Sequence, residues 1–280
     1  MDSSQHTAPI AAPRSDRLSL ERILARDRLI VSLGLVTLIA LSWYYLVAMS
    51  SAMQSMARQS SMAAMGMPEM GSWGIRQAFA LFIMWAVMMV GMMLPSAAPM
   101  ILLVLGVYRR RGDRGARVHA AVFVAGYLLA WSTFSAGAAA LQALLHRAAL
   151  LTPNMAVGSA IFGAALLLVA GVYQWLPLKN SCLTLCRSPL DFLTRHWREG
   201  SIGALRMGLH HGLFCVGCCW ALMALLFLAG VMNLLWVAAI AVFVLAEKLA
   251  PQSLRLSRIA GAALLIWGAY VLISALHSAA

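Results

Sequence analysis

The sequence predicts an all-α polytopic integral membrane protein, a bundle of about seven transmembrane helices with the N-terminus cytoplasmic and the C-terminus outside. Three observations lead there. Of the 280 residues, 62% are hydrophobic and only 11% charged, whereas ordinary soluble domains carry about 25% charged residues. Most of the chain divides into apolar runs of about 20 residues, the length that crosses roughly 30 Å of hydrocarbon. The basic residues, finally, alternate between dense and sparse from one inter-run segment to the next.

The runs are Leu29 to Met49, Ile75 to Leu105, Val118 to Leu145, Ala156 to Leu176, Leu205 to Ala229, Val231 to Ala246 and Ile259 to Leu276. The second is too long for one straight crossing, and Pro95 and Pro99 within it predict a kink or break, since proline removes a helix hydrogen bond. Lys and Arg number 5, 2, 5, 1, 5, 0, 3 and 0 in the segments from the N-terminus to the C-terminus. Basic residues stay on the cytoplasmic side of a membrane, and this alternation sets the orientation. Residues 1–28 read as a flexible cytoplasmic tail. Residues 29–277 form one seven-span domain, with a Met-rich outer loop at 49–74 and a cytoplasmic Cys-containing loop at 177–205. The bacterial inner membrane is the expected location, with membrane lipid as the surrounding partner.

Several function classes drop out. The formal charge of +12 would suggest nucleic acid if it formed one basic face, but it is dispersed among short loops, so no nucleic-acid partner is expected. The mixed-charge stretch from Asp2 to Arg28 is no signal peptide. A retinal pigment needs a lysine in the middle of its last span, and this last span has none. No phosphate-binding Gly-x4-Gly-Lys-Ser/Thr motif occurs.

The chemistry-bearing residues are sulfur and imidazole groups at three depths. Outside, Met49, Met53, Met56, Met62, Met65, Met67 and Met70 fall within 22 residues. Thioethers are soft ligands suited to Cu(I), and Met62, Met65, Met67 and Met70 are spaced to wrap one ion. The alternative is packing against the membrane surface. In the second run, Met84, Met88 and Met92 form one helical row and Met89 and Met93 another beside it, either lining a metal path or serving as packing or lipid-facing surface.

The fifth run carries Met207, His211, Cys215, Cys218, Cys219 and Met223, all within about 80° of Cys215 on one helical face. Gly208 and Gly212 share that face and would admit a neighbouring helix closely. A membrane-buried imidazole is costly unless partnered, although cysteine alone behaves as a small hydrophobe. One helix offers only two or three of these groups to one ion. Completion would need Met88 or Met92, a second copy of the chain in a homo-oligomer, or the low coordination number that Cu(I) accepts. On the cytoplasmic side, Cys182 and Cys186 share a face, and the charge of Lys179 and Arg187 nearby favours thiolate; the alternative is two loop cysteines without a role. Glu247 and Lys248 read simply as an interfacial pair.

The chain resembles a bacterial family of predicted metal-binding integral membrane proteins, some linked to copper supply for tyrosinase-type oxidases. The resemblance rests on Met84-Trp85 through Met92-Met93-Leu94-Pro95 to Pro99-Met100, on Gly171-Val172-Tyr173-Gln174 with Pro177-Leu178-Lys179, and on Cys182 to Cys186-Arg187. It also rests on Gly208 to His211-Gly212 with Cys215, Gly217, Cys218, Cys219 and Trp220, and on Gly230-Val231-Met232-Asn233 with Glu247-Lys248-Leu249. It spans about Gln77 to Pro251 and implies handling of copper, without a transport direction. The expectation is therefore a non-enzymatic membrane protein that binds and passes Cu(I), or another soft metal, to a copper-accepting oxidase or a metallochaperone. Two other readings stay open: a membrane thiol-disulfide oxidoreductase, and a structural assembly partner without metal.

Overall fold

The computed structural model describes residues 14–62, 74–148, 158–250 and 255–279, and every element among them is helical. In chain order these are α1 (Arg14–Met62), α2 (Ile75–Arg110), α3 (Ala116–Arg147), α4 (Ala160–Tyr173), α5 (Pro177–Arg187), α6 (Pro189–His196), α7 (Gly200–Ala224), α8 (Leu226–Ala229), α9 (Leu234–Leu249) and α10 (Leu256–Ala279). Local chemistry marks the starts. Pro177 and Pro189 open α5 and α6, where the missing N–H would be unpaired in any case. The Ser159 hydroxyl caps α4 by accepting from Phe162 N, and the Asn233 side chain caps α9 by accepting from Trp236 N at 3.2 Å. Gly230, at φ +89°, turns the chain between α8 and α9, a conformation open to a residue without Cβ.

Each apolar run forms a helix. Among the described residues, five helices are long and apolar enough to cross a membrane, or six if α4 and α5, bent by 65°, make one crossing. The helix α9, at 16 residues, reaches only about 24 Å at 1.5 Å per residue. The helix α2 does not break at its prolines; it runs continuously through Pro95 and Pro99. Neighbouring groups attend to the backbone there: the carbonyl of Met93 accepts from the Ser96 hydroxyl at 2.8 Å and from the Tyr127 hydroxyl at 3.2 Å.

The helices extend beyond the apolar runs. Helix α1 begins at Arg14, inside the segment expected to be a tail, and continues to Met62, into the expected outer loop. The reason is that 14–62 holds one glycine and no proline, and without breakers the helix propagates. The stretch 177–205, expected as a loop, is folded into α5, α6 and the first turn of α7.

Helices α2, α3 and α7 form the centre, with α7 packed most extensively on α3. Small residues permit that approach: a Cβ at Gly212 would lie 2.9 Å from the Tyr127 carbonyl oxygen, and one at Gly208 or Gly126 would fall inside the backbone of Phe123 or Leu205. Helix α4 pairs with α10, and α5 lies on α7. Helices α1 and α10 expose Leu29, Leu33, Val36, Ile266 and Tyr270, apolar surface that suits lipid rather than water. Asp27, fully buried, ties α1 to the centre through the guanidinium of Arg109, with Arg117 at 3.6 Å.

Candidate metal centre

The whole face of α7 read from the sequence points inward: Met207, His211, Cys215, Cys218, Cys219 and Met223 are all buried. The close α3–α7 packing turns that face toward the bundle centre. Met84, Met88, Met89, Met92 and Met93 of α2 are likewise buried, so the stripe is interior and not lipid-facing.

The cysteines do not form two separate sites. Helix α5 packs on α7 and sets Cys186 beside Cys215 and Cys218. Cys182 is close by as well: a Cβ at Gly217 would lie 2.9 Å from its sulfur, so the glycine lets α5 settle on α7. All five cysteines are free. The pair on α5 therefore joins the α7 cluster instead of standing apart at the cytoplasmic end, because a 65° bend after α4 folds α5 against the bundle.

Cys215 is the hub. Its sulfur accepts from the Lys248 Nζ at 2.9 Å and pairs with the Tyr127 hydroxyl at 3.1 Å. Tyr127 has one hydroxyl proton for two partners, this sulfur and the Met93 carbonyl. The Cys215 carbonyl accepts from Cys218 Sγ at 3.1 Å and Cys219 Sγ at 2.9 Å. Cys219 Sγ lies 4.0 Å from Met93 Sδ. Met93, from the second row of α2, thus reaches the cysteines, while Met88 and Met92 of the first row are buried on the same helix. A rotation of α2 by one residue position decides which row faces α7, and periodicity is blind to it.

Charged groups line the same region. Lys179 donates to Glu247 Oε1 at 2.6 Å and also to Gln174, and both ions are essentially inaccessible. Arg187 donates through Nε and Nη2 to the Glu247 carbonyl, at 2.8 and 2.5 Å. The expectation that Lys179 and Arg187 attend the α5 cysteines is thereby corrected, since both turn to Glu247. Glu247 and Lys248 are also no interfacial pair. They are buried and reach different partners, Lys248 donating to Ser96 Oγ at 2.8 Å as well as to Cys215. Ionisable groups ending an apolar run read as interfacial in sequence; here α5 covers Glu247, while α2 and α7 receive Lys248. Ser96 and Tyr127 are the neighbours of the cluster that sequence reasoning passed over, and Lys248, read there only as interfacial, carried a signal as a lysine inside a hydrophobic block.

One turn before Cys215, His211 sits among aromatic rings, with Phe192 at 5.2 Å, Tyr127 at 5.9 Å and Phe123 at 6.0 Å between centroids. Its Nδ1 is buried and has no hydrogen-bond partner. Met207 lies away from the cluster, its sulfur accepting from Arg198 N at 3.4 Å, and Met223 is buried one turn beyond Cys219. Met65, Met67 and Met70, and the side chain of Met62, fall outside the described residues. Among the described residues, no three His, Cys, Asp or Glu groups already surround a common point. The Cys218 and Cys219 thiols are turned instead to the Cys215 carbonyl.

A family model described as PpoB2, copper chaperone, matches residues 82–271. No curated protein and no solved structure matches the chain significantly. The matched stretch takes in α2 from its second turn through most of α10, including Met84 to Met93, the α5 cysteines, the α7 face and Lys248, and leaves out the outer methionines. Spanning more than half of the chain and every group of the cysteine cluster, the match places this protein in the PpoB2 family of copper chaperones.

Proposed function

We propose that this protein is a membrane carrier of Cu(I), or of a kindred soft ion, which binds its cargo at the Cys186/Cys215/Cys218/Cys219/Met93 cluster with His211 beside it. The observation that carries the reading is the convergence of sulfurs from α2, α5 and α7 around Cys215. Thiolate and thioether together suit Cu(I), which accepts two or three ligands. Thiols that donate to a backbone carbonyl, without a preformed cage, suit a protein that must release its ion as well as hold it. Met62, Met65, Met67 and Met70 would collect or release the ion outside, and Met84, Met88, Met92, Met207 and Met223 would line its way. Cys182 stands at the cytoplasmic rim of the cluster.

The membrane frame belongs to the same proposal. Seven crossings in a bacterial inner membrane, with a cytoplasmic N-terminus and the C-terminus outside, follow from counting α9 and the bent α4–α5 pair as crossings and from the alternation of basic residues. Ligand exchange between soft sites needs no nucleotide, so direction is set by the relative affinities of donor and acceptor, the acceptor being an oxidase or a soluble metallochaperone. Replacing Cys215, Cys218 and Cys219 together by Ser is expected to remove bound copper from the purified protein, measured by elemental analysis. Unchanged stoichiometry would sink the intramembrane site.

The contact of Cys186 with Cys215 and Cys218 also favours a second reading, a thiol-disulfide oxidoreductase. Thiol trapping with and without reductant separates the two. Pairs that cycle between thiol and disulfide support the oxidoreductase, and cysteines that remain reduced support the metal carrier.

A further inference from the structure

We infer that Lys248 selects the charge of the cargo: its ammonium, seated on Cys215, fits the cluster to a monovalent soft cation held by two thiolates and one thioether. The inference rests on the copper reading above and names the class of ion within it. Two lysines are buried at this end of the bundle, and their surroundings differ. Lys179 faces a carboxylate, Glu247. Lys248 does not: its Nζ meets the Ser96 hydroxyl at 2.8 Å and the Cys215 sulfur at 2.9 Å, and no carboxylate among the described residues is in ion-pair range of it. Nor is there a spare negative charge nearby, because Glu247 is matched by Lys179 and gives its carbonyl to Arg187. A buried ammonium without a counter-ion is costly, and the neighbour that can take up a negative charge, on binding a metal, is the Cys215 sulfur.

The charge count then distinguishes ions. Cys215 and Cys219 lie one helical turn apart on α7, and Met93 reaches Cys219 from α2. When a monovalent ion binds, each thiol exchanges its S–H bond for an S–metal bond: one cation enters, two protons leave, and the bis-thiolate complex carries a single negative charge. Met93, a neutral thioether, adds a ligand without changing the sum. The ammonium of Lys248 brings the site to neutrality. A divalent ion in the same ligands forms a complex that is already neutral and leaves the ammonium uncompensated, in surroundings where an unpaired charge is far more expensive than in water. A third thiolate would restore the balance for a divalent ion, but Cys186 and Cys218, the other thiols of the cluster, do not join Cys215 and Cys219 around one point among the described residues.

Lys248 also ties α9 to α2 through Ser96, so a merely structural role must be told apart from a charge-selecting one. The test compares wild-type protein, K248M and K248R, purified whole in detergent, by titration with Cu(I) under anaerobic conditions and, separately, with Cd(II), each against a chromophoric chelator. In K248M, Cu(I) affinity is expected to fall by about tenfold or more while Cd(II) affinity holds or rises; in K248R, Cu(I) affinity is expected to return. Equal losses for both ions, or unchanged Cu(I) affinity in K248M, overturn the inference alone. Absence of Cu(I) binding in the wild type, or its persistence in the triple-serine variant, overturns the cluster reading and this inference with it.

Discussion

At Glu247 the cost of burial is set by a single partner. Its carboxylate faces the Lys179 ammonium with both groups out of water, and removing one member of such a pair leaves an uncompensated charge worth about 3–5 kcal/mol. E247Q is therefore expected to lower the melting temperature in detergent markedly, whereas the apolar double replacement K179M/E247L should recover most of the loss. A double variant as unstable as the single one would contradict the pairing. His211 predicts the opposite relation between stability and function. Its Nδ1 is buried without a partner, and an apolar group of similar shape at such a position is often neutral or stabilising. H211L should therefore melt no lower than the wild type while holding less copper; a lower melting point would mean that the imidazole is a structural member of the aromatic cage. That His211 and the cysteines share a buried face was legible from helical spacing. That the histidine lacks a partner was not, because Phe192 and Phe123 come from other helices.

Among the elements, the seam between α3 and α7 and the bend before α5 together shape the candidate site. Gly208 and Gly212 announced a close neighbour through their spacing alone, and α3 is that neighbour. A side chain at Gly208 would enter the Phe123 backbone, and overpacking of this kind costs about 1–3 kcal/mol or more. G208L is accordingly expected to reduce the yield of folded protein and its melting temperature, read by fluorescence-detected size exclusion. G137L, at a glycine with open space around it, serves as the control that should behave as wild type. The position of α5 was not legible. Its sequence reads as a basic, mixed-polarity loop, and only the bend relative to α4 lays Cys186 against Cys215 and Lys179 against Glu247. Helix α2 gives the same lesson: both methionine rows were evident from periodicity, yet their identical chemistry left open which of them meets the cysteines.

For the molecule as a whole, the parity of crossings is the open quantity that topology reporters can read. Seven crossings put the termini on opposite sides of the membrane, six on the same side. Fusions of a reporter active only outside the cytoplasm are expected to be silent at the N-terminus and active at the C-terminus; silence at both would make either α9 or the bent α4–α5 pair a helix that does not cross. Composition and the length of the apolar runs alone anticipate the helices of the described residues, five of them long and apolar enough to cross a membrane, and the spacing of sulfur and imidazole groups identifies the inward face of α7, because both depend on local periodicity that each helix carries in itself. Tertiary structure alone decides that Cys186 and Met93 join that face, that Lys248 sits on Cys215, and that Glu247 belongs to Lys179. Those pairings link residues 29 to 126 positions apart in the chain, and they depend on how one helix is rotated and bent against another, which no single segment encodes.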